Sequence, residues 1–334
     1  MEIPKTGSLE REVFTIANAQ QMQAIALKVY DFQFHNNLLY QKFSLALNRT
    51  PENVKTLSGI PFLPISLFKS HRVATTAFEE QLVFRSSGTT LAQPSTHYVW
   101  KSGLYIESFL KGFEYAYGSV SDYRILGLLP SYLERSDSSL VYMVSHLIRE
   151  SRHAESGFYL NNLSSLATTI STLEQEQKKT LLFGVSFALL DFAEAYPQPL
   201  ISTVIMETGG MKGRRRELTK PELYQELHKA FGDAPIHSEY GMTELLSQAY
   251  GVNGFYQTPP WMKILVREET DPLCVHDVDN KVHTGGVNVI DLANLYSCAF
   301  IAVDDRVRLH PNGRFEILGR LDNSDVRGCS QLVD

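Results

Sequence analysis

The stretch Ser238-Glu239-Tyr240-Gly241-Met242-Thr243-Glu244-Leu245-Leu246 decides how the chain is read. Gly241 lets the backbone approach a ligand or turn through positive φ, and Tyr240 offers a flat aromatic face to a purine. Thr243 supplies a hydroxyl for a phosphate and Glu244 a carboxylate for a metal. Such polar residues make a poor core and read as the floor of a nucleotide site, with Glu244 expected at a loop edge. Taken alone, the segment reads equally well as a strand-to-helix turn capped by Thr243. Two further stretches favour the ligand-binding reading. Upstream, Val83-Phe84-Arg85-Ser86-Ser87-Gly88-Thr89-Thr90 is a strand-like run opening into a hydroxyl-rich glycine loop; downstream stand Asp305 and Gly319-Arg320.

Composition bounds the answer. With 334 residues, 43% of them apolar, the chain can build a substantial core in one large or two smaller domains. A net charge of −6 gives no electrostatic footprint for a nucleic acid. Residues 1–5 carry no apolar export segment, and the apolar run 181–190 is too short to span a bilayer, so a cytoplasmic protein without a membrane span is expected. Cys274, Cys298 and Cys329 form no Cys-x-x-Cys pair, and the ten His residues show no metal-ligand spacing. Neither a disulfide framework nor a zinc site is therefore expected.

Working outward along the chain, residues 18–47 show helical spacing of Met22, Ile25, Val29 and Phe32 and read as a helix. Residues 81–84 read as a strand, 101–117 as a helix, and 123–129 as a buried strand before Pro130. Asp137 or Ser138 should cap the next helix. The Ser-, Thr- and Gln-rich residues 161–180 give no clear signal, whereas 181–188 begin a second strand and helix; small Gly184 leaves room there for a ligand or for close packing. Strand 203–206 runs into Thr208-Gly209-Gly210, at the crevice position where open α/β sheets bind ligands. Thr219 and Glu222 form a capping-box pattern for a helix that Gly232 stops. That helix leads directly to the Tyr240 turn, completing one βαβ unit. After Pro259-Pro260 short strands follow, including a hairpin around Pro311-Asn312-Gly313.

Together these stretches resemble the adenylate-forming superfamily of acyl-CoA ligases, luciferases and peptide-synthetase adenylation domains. Ser86, Ser87, Gly88, Thr89 and Thr90 look like its phosphate loop, Thr208-Gly209-Gly210 like its adenine-side loop, and Tyr240-Gly241-Met242-Thr243-Glu244 like its aromatic-Gly-x-Thr-Glu motif. Asp305 and Arg320 match its ribose-binding Asp and Gly-Arg hinge. The phosphate loop departs from the pattern: it continues Leu91-Ala92-Gln93-Pro94-Ser95, without the usual Lys. The closer resemblance, carried by residues 129–135, 209–213, 238–248 and 327–330, is to the acyl-protein synthetase family of the bacterial bioluminescence fatty acid reductase complex.

The resemblance implies an α/β fold of the adenylate-forming N-terminal-domain type, with parallel sheets flanked by helices, a smaller β unit near the carboxyl end, and no mobile carboxyl-terminal domain. The expected division is an α/β nucleotide- and acyl-binding region over 1–258, a small β subdomain over 259–320, and a hinge remnant and mobile tail over 321–334 carrying Cys329. It implies ATP and Mg2+ as cosubstrate and metal, with Tyr240 on adenine, Asp305 on ribose, Thr243 on phosphate, Glu244 on magnesium, Arg320 at the hinge side, and residues 86–90 around the pyrophosphate. The implied activity is activation of a carboxylic acid, a fatty acid by resemblance, with transfer to Cys329 and on to an acyl-accepting partner protein, an acyl reductase in that family. A CoA ligase using the same adenylation site and CoA, and a non-catalytic acyl-nucleotide-binding protein, are the alternatives.

Overall fold

A computed structural model of the chain describes residues 7–86, 93–129, 137–159, 162–209, 216 and 218–321. The chain divides into two compact units, each assembled from three segments: residues 1–112, 242–248 and 257–316 in the first, and 113–241, 249–256 and 317–334 in the second.

The second unit carries the parallel sheet that the strand-helix alternation predicts. Strands Arg124–Leu128, Thr180–Gly184, Thr203–Glu207 and Ile236–Tyr240 pair in parallel, with Gly157–Phe158 outside the first and Ala249–Val252 antiparallel to the last. Thr180–Gly184 is buried at every position, which explains why it reads as a continuous apolar run and not an alternating one. The helix Leu163–Gln175, in the region that gave no sequence signal, has Asn162 as its N-cap and buries Leu166, Ile170 and Leu173. Its Thr168 and Thr172 hydroxyls return to the carbonyls of Ser164 and Thr168, so hydroxyl residues that usually argue for a loop are accommodated inside the helix. The capping box at Thr219 and Glu222 forms as expected on the helix Lys220–Phe231, and Ser138 caps Ser139–Ser151. At Gly184 the space is used for packing, not a ligand: an added Cβ would lie 2.5 Å from Leu189 Cδ2.

The first unit contains an antiparallel sheet of Val275–His276, Met262–Arg267, His283–Asp291 and Phe300–Leu309, with Leu63–Pro64 parallel to the last. A separate two-stranded ribbon pairs Leu82–Arg85 with Thr96–Val99. The amino-terminal helical run is two helices, Ala19–Asn36 and Leu38–Ala46. The break has a local cause: Asn37 takes an extended backbone, and its side chain accepts a hydrogen bond from the Tyr40 amide, capping the second helix. Tyr30 and Tyr40 then pack with Phe300 in the core. Gln33, fully buried, donates to the carbonyls of Asn294 and Leu295 and accepts from the Ala299 amide, and Asn37 donates to the carbonyl of Ser297. These bonds pin the segment 294–299, which carries a residue of the candidate site. The hairpin at Pro311-Asn312-Gly313 closes with Gly313 at φ +79°. Among the described residues no helix is long and apolar enough to cross a membrane.

Candidate functional site

In the first unit the ribbon and the Thr243-Glu244 turn meet through one side chain. Ser86 stands at the foot of the loop between the two ribbon strands: its amide donates to the Ser95 carbonyl at 3.0 Å, and its hydroxyl accepts from the Ser95 amide at 2.9 Å. Two residues on, His97 lies opposite Phe84 and is 1% exposed. Its Nδ1 is 2.8 Å from the Thr243 carbonyl, and its Nε2 is 3.1 Å from Asn294 Oδ1. Asn294 Nδ2 in turn donates to the Glu244 carbonyl at 2.8 Å. Both ring nitrogens of His97 therefore face acceptors, a demand that only the imidazolium meets in full. Burial opposes that charge and lowers the His97 pKa, against the raising influence of the Thr243 carbonyl, the Glu244 charge and Asn294.

The other side of the turn is held by Asp291, which is fully buried. Its Oδ2 accepts from the amides of Leu246 at 2.7 Å and Ser247 at 3.0 Å, and its Oδ1 from the Ser247 hydroxyl at 2.5 Å. Burial raises the Asp291 pKa, countered by these donors. No helix follows the turn; Ala249–Val252 is a strand. The motif is therefore a strand-turn-strand connection, and Thr243 caps nothing.

Two expectations about this stretch are corrected. Glu244 is not at a loop edge: it is 0% exposed. The polar residues also belong to the interior, since Ser238 and Tyr240 are each 1% exposed. Ser238 is tolerated there because its hydroxyl bonds the Lys220 ammonium and the Glu207 carboxylate. Thr243, Gly241 and Met242 are half-buried. The donor set of Glu244 and Thr243 is hard oxygen, the chemistry that suits Mg2+.

Asp305 lies on Phe300–Leu309 and is 5% exposed. It falls in a bulge: Gly286 pairs with Arg306 and Asn288 with Ala302, so Val287 alone opposes Val303, Asp304 and Asp305. The buried Arg267 guanidinium stitches this bulge, donating to the carbonyls of Val287 and Val303 and to Asn288 Oδ1. Gly286 is required for that approach, because a Cβ there would lie 2.8 Å from Arg267 Cζ.

In the second unit the carboxyl ends of adjacent parallel strands bring Gly209 and Tyr240 to one sheet edge, with Glu207 paired to Ser238. Gly209 has φ +72°. Thr208 donates through its amide to the Gly184 carbonyl at 3.0 Å and through its hydroxyl to Glu239 Oε2 at 2.7 Å, tying that loop to the residue before Tyr240. Burial raises the Glu239 pKa to about 7, against the lowering effect of the Thr208 hydroxyl. Beneath lies a buried network that sequence reasoning missed. Lys220 Nζ reaches Glu207 Oε2 and the Ser238 hydroxyl, each at 3.2 Å, and the Tyr256 hydroxyl at 2.5 Å. Tyr224 bonds Ser238, and Ser186 donates to Glu207 Oε1. Burial alone would lower the Lys220 pKa; the Glu207 carboxylate, with Tyr256 and Tyr224, outweighs it and holds the pKa well above the usual range. The signal available in sequence was Glu207 itself, a charge closing the apolar run Val204-Ile205-Met206 of the strand Thr203–Glu207.

Arg320 ends the strand Phe315–Arg320 after Gly319 at φ +116°. Ser87, Gly88, Thr89, Thr90, Gly210 and Cys329 lie outside the described residues.

No protein-family model matches the chain, and no curated protein matches it by sequence. Solved structures do. A 2-hydroxyisobutyryl-CoA ligase in the postadenylation state with 2-HIB-AMP superposes with TM-score 0.62 at 11% identity, covering 93% of this chain and 70% of the ligase. The same ligase with R3-HIB-AMP gives TM-score 0.61 at 11% identity, covering 97% and 73%. The mixed α/β architecture, with its large sheets and flanking helices, is thus a fold shared with this CoA ligase over most of the chain.

Proposed function

We propose that this protein activates a carboxylic acid as its acyl-adenylate at the expense of ATP, and then passes the acyl group to its own Cys329 and on to a partner protein. The observation that carries the first half is the junction at His97, which joins the foot of the Ser86 loop to the backbone of the Thr243-Glu244 turn. Two segments nearly 150 residues apart (243 − 97 = 146) are held in one fixed relation, as a site that grips one phosphate chain requires. Support for the reaction class comes from the fold shared with a ligase captured after adenylation.

In this reading a carboxylate oxygen of the acid attacks the α-phosphorus of ATP, the bond to the β-phosphate oxygen breaks, and pyrophosphate leaves. The Cys329 thiolate then attacks the acyl carbon, AMP departs, and the thiol proton has gone to solvent. Residues 86–90 hold the pyrophosphate, Tyr240 and Gly209-Gly210 the adenine, Asp305 the ribose, Thr243 the phosphate, and Arg320 steadies the nucleotide. Glu244 would hold Mg2+, which when bound neutralises phosphate charge. A fatty acid is the proposed substrate, and an acyl reductase the proposed acceptor. A CoA ligase is the second reading, favoured by the shared fold with a CoA ligase.

Carboxylate-dependent exchange of pyrophosphate into ATP, run over acids of increasing chain length, tests the adenylation half. Its absence for every acid would leave only nucleotide binding. Intact-mass analysis after incubation with ATP and acid tests the transfer half: a hydroxylamine-sensitive adduct is expected on the wild type and not on Cys329→Ala, which should keep the exchange reaction. An adduct that persists in the variant, or thioester formed only with CoA present, selects the ligase reading.

A further inference from the structure

The edge hairpin of the first unit brings three metal-ligand side chains to one point. Arg267 pairs with Val275 and Val266 with His276, and the Glu268 amide continues the ladder to the Cys274 carbonyl at 3.0 Å. Residues two apart on a strand share a face, so Cys274 and His276 point the same way, and Glu268 faces Cys274 across the ladder. The Cys274 Sγ lies 3.2 Å from Glu268 Oε1, His276 Nε2 lies 3.0 Å from the same oxygen, and Sγ is 3.7 Å from Nε2. All three are half-buried.

We propose that Glu268, Cys274 and His276 form a binding site for a zinc-class divalent cation. Zinc bonded to sulfur, nitrogen and oxygen at its usual lengths in a tetrahedron sets its ligands about 3.4–3.6 Å apart. The three observed separations depart from that range by only a few tenths of an ångström, so small side-chain rotations admit the ion. The donor set is also selective: one thiolate and one imidazole disfavour magnesium and calcium, which take oxygen ligands. On binding, the Cys274 S–H bond breaks, its proton leaves to solvent and the sulfur pair goes to the metal. The fourth position is left to water, since no other described Cys, His, Asp or Glu joins the cluster. His283 stacks on His276 with ring centroids 4.4 Å apart, and its own Nε2 is engaged by Asp279 at 2.9 Å, so it orients the ligand ring without competing for the ion. Sequence spacing hid the site because one ligand comes from the opposite strand.

The hairpin also walls a cavity of about 320 Å3 through Arg267, Leu273 and Val275, so the ion would fix one side of that cavity.

The test uses the full chain, freed of metal with a chelator and titrated with Co2+. A thiolate-to-cobalt charge-transfer band should grow to one equivalent and be displaced by Zn2+. Cys274→Ser should abolish it, whereas Cys298→Ser and Cys329→Ser should keep it. His276→Gln should weaken cobalt binding by more than the roughly 10–100-fold that loss of an outer-shell partner costs. No band at stoichiometric cobalt, or a band that survives Cys274→Ser, overturns the proposal. Should Cys274→Ser not fold, X-ray absorption on the zinc-loaded wild type decides: one sulfur at about 2.3 Å among lighter ligands at about 2.0–2.2 Å is expected, and an all-oxygen-and-nitrogen shell overturns it.

Discussion

His97 Nε2 and Asn294 Oδ1 lie 3.1 Å apart in the interior of the first unit, and the two side chains together occupy the carbonyls of both Thr243 and Glu244. A strand of the ribbon and a loop pinned by Gln33 and Asn37 thereby fix the backbone of the motif on which the functional reading turns. Two main-chain acceptors of the turn are satisfied by side chains that are themselves packed.

Truncating either member should loosen it. His97→Ala leaves one buried carbonyl unpaired and opens a cavity, a loss of about 2–3 kcal/mol in urea unfolding. Asn294→Ala should cost about 1–3 kcal/mol for the Glu244 carbonyl. Both should lower carboxylate-dependent pyrophosphate exchange by more than they lower the helical circular dichroism signal. Exchange that remains at the wild-type rate in either variant removes the turn from the proposed chemistry.

His97 also sets a pH dependence. Its folded pKa is depressed while the unfolded value lies near 6.5, so as pH falls through about 6.5 the unfolded chain takes up the proton first. Stability is lost on that descent, at up to about 1.4 kcal/mol per pH unit, until the folded pKa is reached. His237 and His146 shift in the same direction, so His97→Gln should shallow the acid limb without abolishing it. A limb of unchanged slope would show that His97 titrates normally.

Glu239 acts with the opposite sign. Its folded pKa is raised to about 7, so between its unfolded value near 4.5 and about pH 7 the folded state holds the extra proton, and stability falls as pH rises through that window. Glu239→Gln keeps the shape without the charge and should gain on the wild type by about 2–3 kcal/mol at pH 8; half-burial puts the effect at the lower end. Unfolding curves at pH 4.5 and pH 8 check this: a difference between the two proteins that does not change with pH contradicts it.

The Lys220–Glu207 pair predicts a non-additive result. Lys220→Met leaves a buried carboxylate without its cation and should cost about 3–5 kcal/mol, whereas Lys220→Met with Glu207→Gln should recover much of that loss. Additive losses in the double-mutant cycle would mean that the charges do not interact.

Gly286→Ala should force the Arg267 guanidinium off the bulge that holds Asp305. With Asp305 as the proposed ribose ligand, the Michaelis constant for ATP should rise, and Asp305→Ala should raise it further, by a loss of roughly 1.5–3 kcal/mol of binding. An ATP dependence unchanged in Asp305→Ala would withdraw the ribose assignment.

Much of the architecture was legible in the sequence because the forces that set it are local or periodic. The continuous apolar run 181–184 marked a buried parallel strand, Thr219 with Glu222 marked a capped helix start, and Asn312-Gly313 marked a hairpin. The strand-helix order was enough to place Gly209 and Tyr240 at one sheet edge, because right-handed crossovers return parallel strands with their carboxyl ends together. Where local signals competed, sequence misled or fell silent: Asn37 splits one expected helix by capping the next, and hydroxyl-rich 163–175, which gave no signal, is a helix whose buried Leu166, Ile170 and Leu173 outweigh its hydroxyls. Burial of Glu244, the pairing of Lys220 with Glu207, the grip of His97 and Asn294 on the motif, and the convergence of Glu268 on Cys274 and His276 were all decided by tertiary structure. Each joins residues from different elements, and a polar group's cost or use depends on the partner that folding sets beside it, which no spacing along a single strand or helix encodes.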